Sequence, residues 1–563
     1  MNLLFDKVEP SFSREQMKTW LPRALVLLLL FLTIVYPLWQ LFTASLMHEG
    51  GWSLRHYLEF FDAGGNHSLA ALAGSVMVSL ATVVLAALIG IPLAFLFERF
   101  ELPGKRLLSV LATLPIVLPP LVGVVAFMVL LGDSGMLPRL LQSAFGLEHQ
   151  PFRLQGVTGI LIVHAYSFYV YFFLFVRAAL KRLDGSTIEA AQSLGADQVR
   201  ILFRVVLPQL RPAITASGIL VFMISMASFS APLLFAGNFR ILTVEIFKNK
   251  MQGNMPMAIA QSVMLAVISI VFLILSLRQG QEGGTAGQKG VPLPPRPIRS
   301  AGARFAAVVI ATVASIFLAL PHLTLLLISF VEKGSWTSQV LPDTFTLDYY
   351  RAVFSDVRVS EPIANSLKMA ALATAANLFI ATLMAYWNTQ KKWRFSRAGE
   401  MMIMLPWAVP GTVIAIALIV AFNQPHWFTG GAILVGSFWI LPLAYFIRHL
   451  PVVYRAGHAA FQRFDPAQEE AARSLGAGSL MTFRRVLLPA VRPALLSGAL
   501  LAAVMSLGEF VSSILLYTYE NKPISMAIYN EFRDNLGGAA TYGVLLTVLI
   551  FAISWLSEKW GEI

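Results

Sequence analysis

Residues 182–212 read RLDGSTIEAAQSLGADQVRILFRVVLPQLRP, and residues 463–493 read RFDPAQEEAARSLGAGSLMTFRRVLLPAVRP. Aligned without a gap, 15 of the 31 positions are identical. Each copy is a polar, charged interruption between long apolar stretches. The whole chain of 563 residues is 57% hydrophobic and 13% charged, whereas a soluble chain carries about 25% charged residues. This is the composition of a membrane protein. It holds no cysteine, which excludes disulfides and thiolate metal sites.

Counting about 20 apolar residues per crossing gives twelve spans. Six lie near 22–46, 70–97, 106–132, 156–180, 210–236 and 256–278, and six near 302–330, 363–388, 399–422, 429–450, 491–517 and 538–557. The expected fold class is an all-α integral membrane protein of two pseudo-symmetric six-helix halves. The first span follows a polar segment and precedes no small-x-small cleavage site, so it reads as a span rather than a signal peptide. The net charge of +12 sits mostly in short loops beside the spans, where basic residues set topology rather than bind nucleic acid. With both termini cytoplasmic, the cytoplasmic segments hold 30 of the 42 Lys and Arg. That orientation puts both copies of the loop in the cytoplasm. Segments 47–69, 237–255, 331–362 and 518–537 then lie outside.

Residues 279–301, Gly-rich and then Pro-rich, read as a linker. They separate a first half, 1–278, from a second, 302–563. The halves match beyond the loops: LPIVLP at Leu114–Pro119 parallels LPWAVP at Leu405–Pro410, and Ser75 parallels Ser366. These matches lie 291 residues apart and the loops 281 apart, so the second half lacks ten residues between its third span and its loop. Halves of equal orientation form a parallel repeat, with the solute path expected at their interface.

The loop reads as a piece of local chemistry. Asp465 is an N-cap, Pro466 suits the first helical position, and Gln468 stands where a capping box places its partner. Gly476 ends the helix. In the first copy Asp184 is the cap and Gly195 the stop. A second helical stretch is expected to stop near Leu207-Pro208 and Leu488-Pro489, because proline cannot continue a helix. The small Ala pair, Ala190-Ala191 or Ala471-Ala472, permits close approach of a partner, and Glu189 or Glu470 offers it a fixed charge. A solvated linker has no reason to keep cap, turn and stop twice.

The Glu-Ala-Ala run, the glycine four residues after its second Ala and the later Leu-Pro resemble the signature of the inner-membrane permease subunits of binding-protein-dependent ABC importers. The resemblance covers essentially the whole chain, as two permeases fused. It implies that Asp184, Glu189, Ala190, Ala191, Gly195, Leu207 and Pro208 form one coupling element, and Asp465, Glu470, Ala471, Ala472, Gly476, Leu488 and Pro489 the other. Each would seat in one of two cytoplasmic ATP-binding subunits. ATP and Mg belong to those subunits, and no cofactor to this chain. An external solute-binding protein and a bacterial cytoplasmic (inner) membrane are also implied. The copies differ at Asp197/Gly478 and Phe203/Arg484, so the two dockings need not be equal. Ser506-Leu507-Gly508-Glu509-Phe510 is similar to a stretch of ferric-iron, thiamine, molybdate and sulfate permeases. The first half has Met226-Ala227-Ser228-Phe229 there, without the acid. Ferric iron or a related small solute is the cargo this implies.

Glu509, an acid within an apolar span, reads either as a gate or pathway residue or as a structural bonding group. Ser228 and the helix-breaking Pro119 and Pro410 are further pathway candidates. Pro115 and Pro406 share those spans; a simple kink and a hinge or broken helix lining the path are compatible readings, and a kink at the central interface is favoured. His164 and Tyr166 read as hydrogen-bonded core residues, and Asn365 and Asn377 as interhelical bonders, Asn377 with a path role as alternative. Short amphipathic helices are expected around Leu54–Phe61 and Leu347–Phe354, at the interface or as a landing surface. No phosphate loop, H-E-x-x-H or G-x-S-x-G motif occurs, so the chain carries no recognisable ATPase or catalytic site. The competing class is an ion-gradient-driven secondary transporter. Twelve spans suit it, but it calls for several intramembrane charges and leaves the paired loops unexplained.

Overall fold

A computed structural model describes residues 14–62, 67–101, 104–116, 119–132, 135–282, 300–336, 339–390 and 393–561. Most of the expected linker, 283–299, lies outside the described residues. Helices dominate; the strands among the described residues are the two-residue pair Met47–His48 and Gly51–Trp52. Ten helices are long and apolar enough to cross a membrane, and the bent pair Ser396–Ala408 and Gly411–Phe422 makes an eleventh. The expected tenth span, near 429–450, is the helix Ile440–Arg463, which begins later because 423–439 is loop and one short turn. It carries more charge than its neighbours yet is deeply buried in the second half.

Each half is built on three packed helices. In the first they are Ser68–Arg99, Gly156–Lys181 and Leu207–Met226; in the second, Val357–Gln390, Ile440–Arg463 and Leu488–Leu507. Small residues let the backbones approach, the usual solution where lipid supplies no hydrophobic drive. At Gly90 any Cβ would sit 2.4 Å from the Tyr169 carbonyl oxygen. The halves also exchange arms. The first span, Trp20–Ser45, packs on Gly411–Phe422 of the second half, and Ala301–Ile328 packs on Pro120–Leu131 of the first. Tyr166 seals one crossing by donating to the Leu318 carbonyl at 2.8 Å.

Matched positions make matched bonds. Ser75 Oγ accepts from the Leu242 N–H and Ser366 Oγ from the Ile524 N–H, both at 2.8 Å. The breaks at Pro119 and Pro410 also match, with φ/ψ of −55/136° and −57/148°. These are extended values, and the second break bends the chain by 113°. The expected kink is therefore a full helix break, because proline supplies no N–H and pushes the residue before it out of helical geometry. The ten extra residues of the first half are also visible. Between matched spans the first half has residues 132–155, including the helix Met136–Phe145. The second half has only 423–439, with the turn Trp427–Thr429, its next helix starting three residues later than the equivalent of Gly156.

Candidate functional site

The repeated loops fold alike. Asp184 caps the helix Gly185–Ser193 by accepting from the Ser186 N–H at 3.0 Å. Asp465 caps Pro466–Ser474 by accepting from the Ala467 N–H at 3.0 Å. The Gln468 N–H bonds the Asp465 carbonyl instead. Both helices end in the same double bond. Gly195 N–H donates to Gln192 and Ala196 N–H to Ala191; Gly476 N–H donates to Arg473 and Ala477 N–H to Ala472. This is the Schellman arrangement, which needs a left-handed residue at the glycine. The φ values are +77° and +85°, and a Cβ at either site would meet nothing within 4 Å. Backbone conformation, not crowding, selects glycine here.

One expectation is corrected. The second stretch does not stop at Leu207-Pro208 or Leu488-Pro489. A π-turn, Leu202–Val206 or Phe483–Leu487, carries each helix through, with Leu207 N–H reaching back to Leu202 and Leu488 N–H to Phe483. The wider turn absorbs the carbonyl that proline cannot serve, so the loop leads rigidly into the span.

At the tip of each loop stands an exposed leucine, Leu194 at 88% and Leu475 at 89%. Val199 and Leu480, again matched, are exposed beside them. Glu189, Ala190, Glu470 and Ala471 are exposed, whereas Ala191 and Ala472 are half-buried under the helix end. The expected difference between copies is structural: the Asp197 carboxylate accepts from the Arg200 N–H at 2.8 Å, and Gly478 offers no such cap. Phe203 and Arg484 are both exposed.

The second constellation lies where the halves meet. Phe229 and Phe510 are equivalent by the 281-residue offset, and their rings face each other at 6.0 Å. Two equivalent side chains in contact must lie on the pseudo-two-fold axis. Neither was singled out by sequence reasoning, although Ser228 and Glu509 precede them; the offset itself was the available signal. Pro119 of the first half lies against Gly508 of the second, since a Cβ there would sit 3.4 Å from the proline Cβ.

Glu509 is 6% exposed. Its Oε1 accepts from Arg448 Nη1 and from the Ser512 N–H, each at 2.9 Å. His449 Nε2 lies 3.9 Å from Oε2. Ser228, the first-half equivalent, bonds neutral partners: His164 Nε2 lies 2.8 Å from its Oγ, and His164 Nδ1 lies 3.2 Å from both Thr82 and Ser225. His164 is thus a bonded core residue. Asn365 bonds the carbonyls of Glu520 and Lys522 at 3.5 and 3.4 Å. Asn377 differs from expectation: it is fully buried, and neither side-chain atom finds a partner among the described residues.

The architecture is a polytopic helical membrane protein of two related halves with an aromatic contact on their axis and two matched projecting loops. The chain belongs to the family described as binding-protein-dependent transport system inner membrane component, whose pattern matches residues 86–279 and again 377–559. It is 32% identical over 492 residues to a protein of Sinorhizobium fredii named "Probable ABC transporter permease protein y4fN", covering 86% of each chain. It is 26% identical to the ferric transport system permease protein FbpB of Actinobacillus pleuropneumoniae, over 94% of this chain and 76% of that one. The molybdenum transport system permease protein ModB of Mycobacterium tuberculosis is 29% identical over 37% of this chain and 78% of its own length.

Proposed function

We propose that this chain is the complete translocation unit of an ATP-driven importer, with both repeated loops and both termini in the cytoplasm. Two ATP-binding subunits, carrying the ATP and Mg, each grip one loop, and an external solute-binding protein delivers the cargo. The observation that carries the reading is the matched pair of exposed leucines, Leu194 and Leu475, each presented on a capped, glycine-stopped helix. Leu194 with Val199, and Leu475 with Leu480, form an exposed apolar cluster repeated at equivalent points, and exposed apolar patches mark interaction sites. Asp184 and Asp465 fix the helix starts, Gly195 and Gly476 fix the ends, and Glu189 and Glu470 with the Ala pairs meet the partner. The π-turns before Leu207-Pro208 and Leu488-Pro489 pass the motion to the spans. Coupling requires that the loops bind their partners differently in the two states.

Phe229 and Phe510 close the path in this conformation, with Ser228, Glu509, Pro119 and Pro410 around them. Glu509 serves by holding the break after Leu507 to Arg448. Ferric iron or a related small solute is the cargo supported by the ferric permease relative, while the molybdenum relative supports an oxyanion.

The test is ATP-driven uptake in proteoliposomes containing the ATP-binding subunits. L194D/L475D should lower uptake about tenfold or more, the effect of ~1.4 kcal/mol of lost docking, with the thermal stability of the chain unchanged. Undiminished uptake contradicts the loop assignment. Uptake by the chain alone on a proton or sodium gradient would establish the secondary transporter instead.

A further inference from the structure

The end of the molecule opposite the repeated loops holds a cavity of about 950 Å³ whose walls come from both halves. We propose that it receives an oxyanionic solute, a phosphate-, sulfate- or molybdate-like anion or an anionic metal chelate. This names the substrate class of the importer proposed above and rests on that reading.

Among the described residues the lining carries two guanidiniums, Arg139 and Arg533, and no carboxylate. Arg139 stands on Met136–Phe145, the helix that the second half lacks. Its guanidinium lies 5.1 Å from the centre of the Trp336 ring and donates to the Gln339 carbonyl at 3.0 Å. Both partners belong to the second half, so the inserted helix bridges the halves and holds one cation rigid at the rim. A guanidinium has five N–H donors, and one is used here. Arg533 is exposed and has no ion-pair partner among the described residues. Glu531 and Asp534 flank it in the chain but do not line the cavity. Gln155 and Asn238 add neutral donors to the wall.

A second, polar cavity of about 440 Å³ adjoins through the shared residues Gly237 and Asn238. It brings Arg240 and Lys248 against a single acid, Glu245, which Lys248 already engages at 3.0 Å. Among the described residues lining the two cavities, four are Lys or Arg and one, Glu245, is an acid already paired with Lys248. Arginine forks fit the paired oxygens of such anions, and a one-sign cleft concentrates its counter-ion. An uncomplexed ferric cation would be repelled here, so iron could enter only as an anionic complex.

Leu234 and Phe235, on the short helix Ser230–Phe235 that starts beside Phe229, form part of the wall. The short helix Ser230–Phe235 thus runs from the aromatic pair to the cavity wall. In the shorter segment of the second half the Phe428 ring stacks on His426 at 5.0 Å and lies 5.6 Å from Tyr36.

The test is calorimetric titration of the full chain in lipid nanodiscs, alone and with its ATP-binding subunits. The probes are inorganic phosphate, sulfate, molybdate and ferric citrate, with choline and manganese(II) as cationic controls. At least one anion should bind with Kd below about 1 mM, and R533A should weaken it about tenfold, the value of one charge-assisted hydrogen bond. R533K should keep most of the affinity. No heat with any anion, equal affinity in R533A, or preference for a cation overturns the proposal. Failure of the ATP-binding subunits to co-purify would refute the importer reading separately, and the titration of the chain alone would still decide the cavity.

Discussion

Removing the Glu509 carboxylate should cost the second half its most concentrated polar anchor. Glu509→Ala leaves Arg448 beside Gly411 with its charge uncompensated, and strips the Ser512 N–H of its acceptor. Breaking a buried ion pair from one side costs about 3–5 kcal/mol. The Arg448 side chain is 25% exposed, so water recovers part of its charge and the lower part of that range applies. The lost bond to Ser512 adds about 1 kcal/mol. We therefore expect E509A to lower the unfolding free energy by about 3–4 kcal/mol, and Arg448→Ala by a similar amount. The assay is denaturant unfolding in mixed micelles of both single variants and the double. In the double no charge is stranded, so the cycle should show a coupling of about 2 kcal/mol or more. Additive single effects, or losses below about 1 kcal/mol each, would refute the view of Glu509 as a clamp.

The other predictions concern matched positions. G195A and G476A place Cβ on left-handed residues without a clash, so each should cost about 1–2 kcal/mol and weaken co-purification of the ATP-binding subunits, while asparagine at either site is better tolerated; unaltered co-purification of the double alanine variant would remove the glycine turn from the coupling element. D197A should destabilise the first loop by about 1 kcal/mol, and G478D should stabilise the second, both read by hydrogen exchange of the loop amides; an unchanged exchange pattern counts against the cap. F229A/F510A opens the axis contact and should raise passive solute leak from proteoliposomes without ATP, whereas wild-type tightness would place the barrier elsewhere. Gly411→Ala collides with the Arg448 guanidinium and should reproduce much of the R448A instability; wild-type stability would show that the guanidinium can move aside.

The loops were legible in sequence because caps, glycine turns and their repetition are local chemistry. Asp184, Gly195 and their partners at Asp465 and Gly476 needed no tertiary information. The spans were legible for the same reason, since hydropathy reports burial in lipid whatever packs beside it. What failed was where local rules meet tertiary context. Pro208 and Pro489 looked like helix stops, but a π-turn satisfied the backbone and let the helix continue. Pro119 and Pro410 read as kinks or as breaks, and their extended backbone makes them full breaks. Arg448 was invisible as the partner of Glu509, because one lies on the helix Ile440–Arg463 and the other in a helix break 61 residues away. Phe229 and Phe510 were two of 40 phenylalanines until the offset placed both on the axis. Arg139 and Arg533 met only through an insertion that sequence comparison of the halves registered as missing residues.

The chain's lack of cysteine makes site-directed cross-linking of L194C and L475C the most direct test of the central claim. Each variant, held with the ATP-binding subunits and a short bifunctional thiol reagent, should join one such subunit, and the double variant should join two per chain, with yields that change between nucleotide-free and ATP-bound states. Absence of cross-links from both positions, or yields indifferent to nucleotide, would contradict the account of two loops coupling one pore to two ATPases.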